Sequence, residues 1–179
     1  MYRMYALTAT TGLLLLFAGC GGQETDTTAS SQTRATLEAL PEGLFEQAAP
    51  ADAAPLAQVR AAAAPGDTVA FHGYIGGRME PFTEGRAMFL MADSEAAPAC
   101  QPTTCPTPWD ACCIPNKQVA ANSATVQVVD ESGQLLGVGL NGVSGLAPGT
   151  ELTVVGEVRE ANENVFIVDA TGLAISVSK

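Results

Sequence analysis

PGDTVAFHGYI (Pro65–Ile75) and PGTELTVVGEV (Pro148–Val158) are two copies of one pattern, a Pro-Gly followed by apolar residues at every second position with a glycine in the middle. Val69 matches Leu152, Phe71 matches Val154, Gly73 matches Gly156 and Ile75 matches Val158. A period of two is the signature of a half-buried strand. A glycine inside such a strand marks a bend, a bulge or a close approach of another backbone. Two strands that both bend suit a small closed barrel, because the sheet must coil to meet itself.

Between these copies and beyond the second, RAMFLMA, ATVQVVD, QLLGVGL, NVFIVDA and LAISV continue the period, separated by turn text such as DESG (Asp130–Gly133) and APG (Ala147–Gly149). Five strand groups result: a long first strand from Asp67, then Arg86–Asp93, Ala124–Leu140 broken by a turn, Thr150–Glu160 and Glu163–Val177. The expected class is mainly β, and the pattern over Asp67–Val177 resembles an OB-fold, a five-stranded barrel. Residues 65–179 are therefore read as one β domain. On the first strand, Val69, Phe71 and Ile75 share one face and Ala70, His72 and Tyr74 the other, and His72 is read as a surface residue of the strand.

Upstream, residues 35–64 are Ala-rich and interrupted by Pro41, Pro50 and Pro55. Leu37, Leu40, Leu44 and Phe45 fall at helical spacing, and PLAQVRAAAA places Pro55 at a first-turn position before a Pro-Gly stop, so two short helices are expected. Residues 1–19 have the layout of a signal peptide, with Arg3 ahead of an apolar run far shorter than the ~20 residues that span a bilayer. LFAGC (Leu16–Cys20) resembles a bacterial lipobox, in which the cysteine is acylated and becomes the mature N-terminus. Phe17 departs from the aliphatic residue that motif prefers. The resemblance implies lipidation at Cys20 and membrane attachment. Gly21 after the cysteine fits the periplasmic face of the outer membrane. Residues 20–34 are small and polar, a composition suited to a flexible tether.

Four of the five cysteines, Cys100, Cys105, Cys112 and Cys113, crowd into a Pro-rich insertion at residues 94–123, between the second and third barrel strands. Three chemistries fit them. In an exported chain they form two disulfides, with Cys100 and Cys105 each taking one of the adjacent pair, since a Cys112–Cys113 ring falls outside ordinary disulfide geometry. Alternatively the four thiolates hold zinc, copper or an iron-sulfur cluster, although adjacent cysteines lack the spacer of a second zinc knuckle. Or one disulfide leaves a reactive pair for thiol exchange. No other cofactor is expected.

CPTPWDACC (Cys105–Cys113), with GYIGG (Gly73–Gly77), PFTEGRAMF (Pro81–Phe89), ATVQVVDESGQ (Ala124–Gln134) and GLNGVSGL (Gly139–Leu146), resembles a family of uncharacterised bacterial proteins, many of them predicted lipoproteins. The resemblance implies no activity. It implies that Trp109, Asp110 and the cysteines act as a unit, with Trp109 capping the barrel mouth or plugging a loop that has no core of its own.

The formal charge of -11 disfavours nucleic acid and anionic lipid headgroups as partners. With a single histidine and no Gly-x-Ser-x-Gly, HExxH, P-loop or dinucleotide motif, an enzyme is not expected. GVSGL around Ser144 lacks the spacing of a nucleophile elbow. OB barrels bind over strands two and three and the loops joining strands one to two and four to five. Here these loops are Gly76–Gly85 and Glu160–Asn164. Arg78, Met79, Phe82 and Arg86 make the first of them the most basic and aromatic spot on an acidic chain. With Trp109 they are the expected partner surface. The expectation is a tethered binding or scaffolding module for an envelope protein or glycan, with an envelope metal-binding or thiol redox protein as the alternative. No sequence signal bears on oligomeric state.

Overall fold

The computed structural model describes residues 40–100 and 105–176. The expected signal peptide, the expected lipidation site Cys20 and the expected tether lie outside the described residues. Among those described, no helix is long and apolar enough to cross a membrane.

Five strands form the barrel: β1 (Thr68–Ile75), β2 (Met88–Ala92), β3 (Ser123–Gln127), β4 (Glu151–Ala161) and β5 (Phe166–Ile175). β1 pairs antiparallel with β2, β2 with β3, and β5 with β4; β3 and β5 run parallel, and β4 closes the ring on β1. The closed order β1-β2-β3-β5-β4-β1 is OB-fold-like, as the sequence led us to expect. One further strand, Ala54–Pro55, adds parallel to Phe71 and His72. Counting it, the cysteine-rich insertion lies between the third and fourth strands of the sheet; within the barrel, between the second and third.

The two copies of the repeated pattern are the pair that closes the barrel, and they meet about a local two-fold axis. Phe71 lies opposite Val154, Val69 opposite Gly156 and Gly73 opposite Leu152. The Pro-Gly turns obey the same symmetry: Gly66 N–H donates to the Val158 carbonyl and Gly149 N–H to the Ile75 carbonyl, each at 2.7 Å. Both mid-strand glycines are sites of close backbone approach. A Cβ on Gly73 would stand 2.6 Å from the Ala92 carbonyl oxygen, and one on Gly156 would overlap the Asp169 carbonyl. Gly156 also sits at a register shift between β4 and β5, the bulge that lets the sheet coil.

Phe71, Met91, Val126, Leu152, Val154 and Leu173 fill the interior, with the rings of Phe71 and Phe166 tilted at 6.5 Å. Three expectations are adjusted by the structure. Of the two short helices, one forms, α1 (Leu56–Ala62), with Pro55 as its N-cap. The described part of the other leucine-bearing segment is a turn around Gly43 that buries Leu40 and Leu44 in the core and is held by Leu173 N–H to the Leu44 carbonyl. The third strand ends at Gln127. Beyond it only a Val129–Leu135 bridge spans the Asp130 turn, and the Gly-rich 137–142 stretch buries Leu140 as loop. Glycines at alternate positions remove the side chains a strand needs to pack. Finally, the outward face of β1 is not all solvated, since Tyr74 is buried beneath the insertion.

A candidate groove and cysteine cluster

The insertion has no core of its own and is bound to the barrel wall at each end. As it leaves β2, buried Asp93 caps the following turn, its Oδ1 accepting from the amides of Glu95 and Ala96. Its Oδ2 accepts from Ala57 N–H at 2.8 Å, which ties the start of α1 to the same carboxylate. Tyr74 donates its hydroxyl to the Ala97 carbonyl at 2.8 Å and packs with Ala92, Ala97 and Trp109 in a small second cluster. Trp109 therefore lies on the outer wall of the barrel, as the plug of this coreless loop. It also reaches the β1–β2 loop: Gly77 N–H donates to the Trp109 carbonyl, and Trp109 Nε1–H donates to the Met79 carbonyl at 3.0 Å.

Burial, reinforced by the negative charges of Cys100, Asp110 and Asp93, pushes the Tyr74 phenol up from 10.0 to about 12. Because the folded value is raised, the stability this group contributes is full below pH 10 and lost as pH rises through about 12. Tyrosinate absorbance should show Tyr74 ionising late in the native protein, and Tyr74→Phe should remove that late component. A Tyr74 that titrates near its ordinary value would mean the insertion does not cover it.

Beyond Trp109 the chain turns sharply through Pro108–Asp110, a single 3-10 turn, and Ala111, buried in a left-handed conformation at φ 54°. This conformation, unusual for a residue with a Cβ, lies between Asp110 and Cys112, and both side chains join the sulfur cluster. Cys112 Sγ stands 2.9 Å from Cys105 Sγ, 3.5 Å from Cys100 Sγ and 3.9 Å from Cys113 Sγ. The ligand atoms of Cys100, Cys105, Cys112 and Asp110 all lie within 4.8 Å of one another, close enough to hold a metal ion. Asp110 is oriented by Thr107, whose hydroxyl donates to Oδ2 at 2.9 Å, and by the Cys112 amide, which donates to Oδ1 at 2.6 Å. Cys113 N–H donates to Cys100 Sγ at 3.1 Å. Hydrogen bonds from the Cys113 side chain and amide draw the Cys100 thiol below its ordinary range, while Cys105, Cys100 and the Asp110 carboxylate push the Cys112 thiol up. The closeness of Cys105 to Cys112, and of Cys100 to the Cys113 amide, keeps the cross-pairing expected for two disulfides within reach as well.

The cluster borders a groove of about 470 Å³. Its floor is Leu90 of β2 and Thr125 of β3, neighbours across the strand pair. Arg78 and Met79 of the β1–β2 loop and Asn164 and Val165 of the β4–β5 loop line it too, with Asp110, Cys112 and Val119 from the insertion. Val119 belongs to a short helix, α2 (Asn116–Ala121). Arg60 of α1 adds a second cation, held by the Ser123 carbonyl at 2.6 Å with its guanidinium 5.8 Å from the Phe166 ring centroid. Sequence reasoning missed Arg60; its one signal was a lone charge in an otherwise uncharged, Ala-rich helix. The remaining expected surface residues are divided by the fold. Phe82 bridges to Phe89, their rings 5.7 Å apart, and packs on the core, and Arg86 is exposed but does not line the groove. His72 is half-buried on the barrel wall, opposite Thr153.

Fold and site define an OB-fold-like barrel with a groove over β2 and β3 that is walled by a cysteine-bearing insertion. No protein-family model matches the chain, and no curated protein matches it either. Among solved structures the chain is similar to the hypothetical protein ygiW from E. coli, with a TM-score of 0.37 and 13% identity, over 71% of this chain and 94% of that one. The fold assignment rests on the strand pairing.

Proposed function

We propose that this protein is a non-enzymatic binding module of the bacterial cell envelope, anchored by a lipid on Cys20, and that its groove takes an extended, acidic segment of an envelope protein. The observation that carries this reading is the convergence, in one groove, of the β2–β3 face and the two loops through which such barrels bind. The occupant follows from the lining. Met79, Leu90 and Val165 offer apolar contact, and Arg60 and Arg78 offer positive charge on a chain whose net charge is -11. A glycan site would favour flat aromatic platforms. Phe166, the aromatic residue of this groove, already lies under the Arg60 guanidinium.

Photo-crosslinking groups placed at Leu90 and Thr125 of the membrane-anchored chain are expected to capture a discrete protein partner, while one at exposed Glu157 on β4 captures none. Arg78→Glu should weaken capture by about tenfold, the scale of a favourable contact turned repulsive, and the loss should diminish at high salt. Equal capture from Glu157, or indifference to Arg78→Glu, would remove the groove from consideration; a glycan adduct would replace the peptide as occupant. Metabolic labelling with a palmitate analogue, abolished in Cys20→Ser, tests the anchor separately.

A further inference from the structure

We propose that Cys100, Cys105, Cys112 and Asp110 hold a single divalent ion of the zinc class at the edge of the groove, with Cys113 outside the coordination shell. Cys112 has both Cys100 and Cys105 as sulfur neighbours, at 3.5 and 2.9 Å. A disulfide gives each sulfur one partner at about 2.05 Å. Three thiolates around a tetrahedral zinc at about 2.3 Å stand about 3.8 Å apart, so closing on an ion asks the two Cys112 pairs to open by less than about 1 Å, with all the ligand atoms already within 4.8 Å of one another.

The carboxylate is the second argument. Two disulfides have no use for an oriented carboxylate among the sulfurs, and an anion beside thiolates is repulsive unless a cation or a retained thiol proton sits between them. Yet Thr107 and the Cys112 amide hold Asp110 there, each through one oxygen, leaving lone pairs for a metal. This is how metal-ligating carboxylates are oriented by their surroundings. Cys113 is not among the four residues whose ligand atoms lie within 4.8 Å of one another, although its Sγ is 3.9 Å from Cys112 Sγ and its N–H donates to Cys100 Sγ. The spacing then makes sense of the adjacent cysteines that zinc knuckles lack. One prong is Cys100 with Cys105. The other is Asp110 with Cys112, brought together by the left-handed Ala111 between them.

The test uses the full chain, reduced and freed of metal, titrated with cobalt(II) and then zinc, with the metal count taken by native mass spectrometry. One ion per chain is expected, with cobalt charge-transfer absorption of the intensity that three thiolates give. Cys113→Ser should keep both the ion and that intensity. Serine at Cys100, Cys105 or Cys112 should lower the intensity by a third and affinity by more than about 100-fold; Asp110→Asn should keep the intensity but weaken binding about 10- to 100-fold. Far-UV circular dichroism of the barrel in each variant separates lost ligation from lost folding. Loss of the ion in Cys113→Ser, unchanged affinity in Asp110→Asn, or a chain that leaves the envelope metal-free with two disulfides by mass would each overturn the assignment. None of these results depends on whether a peptide enters the groove.

Discussion

Gly156→Val is expected to lower the unfolding free energy by about 3 kcal/mol or more, at the upper end of what overpacking costs. Most overpacked side chains can tilt away from their obstacle. Here the obstacle is backbone: the new Cβ overlaps the Asp169 carbonyl oxygen and lies 2.8 Å from Val168 Cγ1 and 3.0 Å from Ala170 Cα. β4 is paired on one side with β5 and on the other with β1, so Gly156 cannot move outward without breaking the seam that closes the barrel. Gly172→Ala is the control. Its Cβ meets the far end of the exposed Gln47 side chain, which can swing aside, so the change should cost less than about 1 kcal/mol. Denaturant unfolding of the two variants side by side gives the comparison; equal and small losses would mean that the close approach at Gly156 is not enforced.

Asp93→Ala should cost about 3 kcal/mol, and for a different reason. The carboxylate is 1% exposed and accepts three backbone amides at 2.7 to 2.8 Å, from Ala57, Glu95 and Ala96. Each loses its partner in the deletion, and since the three bonds are part-buried, water recovers some of the roughly 1–3 kcal/mol that each fully buried, unsatisfied donor would cost. The change strikes two elements at once, the first turn of α1 and the root of the insertion. Hydrogen-exchange protection should therefore fall at α1 and at Ala97–Cys100 before it falls in the barrel strands. Burial works to raise the pKa of Asp93, but the three amides and the nearby His72 outweigh it and hold it below 3.8. With the folded value depressed, the stability from this group is full above the ordinary carboxylate range and lost as pH falls through the folded value. Asp93→Asn should flatten that acid limb while keeping one acceptor oxygen.

The barrel was legible because its evidence is local. Alternation along eleven residues, two Pro-Gly turns and two mid-strand glycines are properties of short segments, and each segment points to the same coiled sheet. Even the closing pair could be named as a match, though not as a contact: that Phe71 faces Val154 is a fact about residues 83 apart. Where a segment was ambiguous the reading overshot. QLLGVGL is apolar enough for a strand, and only the geometry of the loop shows its glycines withholding the packing that a strand requires.

The site was less legible because it is assembled from distance. The cysteines announced themselves by crowding, and the β1–β2 loop by its arginines. Nothing local joins Arg60, Leu90, Asp110 and Asn164, which lie on four separate elements and become neighbours only when the barrel closes and the insertion lies down over Tyr74. Periodicity and turn chemistry act over a few residues, and they suffice for a small β-barrel with bent strands, interrupted by a cysteine-rich loop. Which wall that loop covers, that Asp110 stands among the sulfurs and that both border one groove follow from the folded chain alone. Those are contacts between residues far apart in the chain, and their free energy is gained only after the fold has paid the entropy of bringing them together.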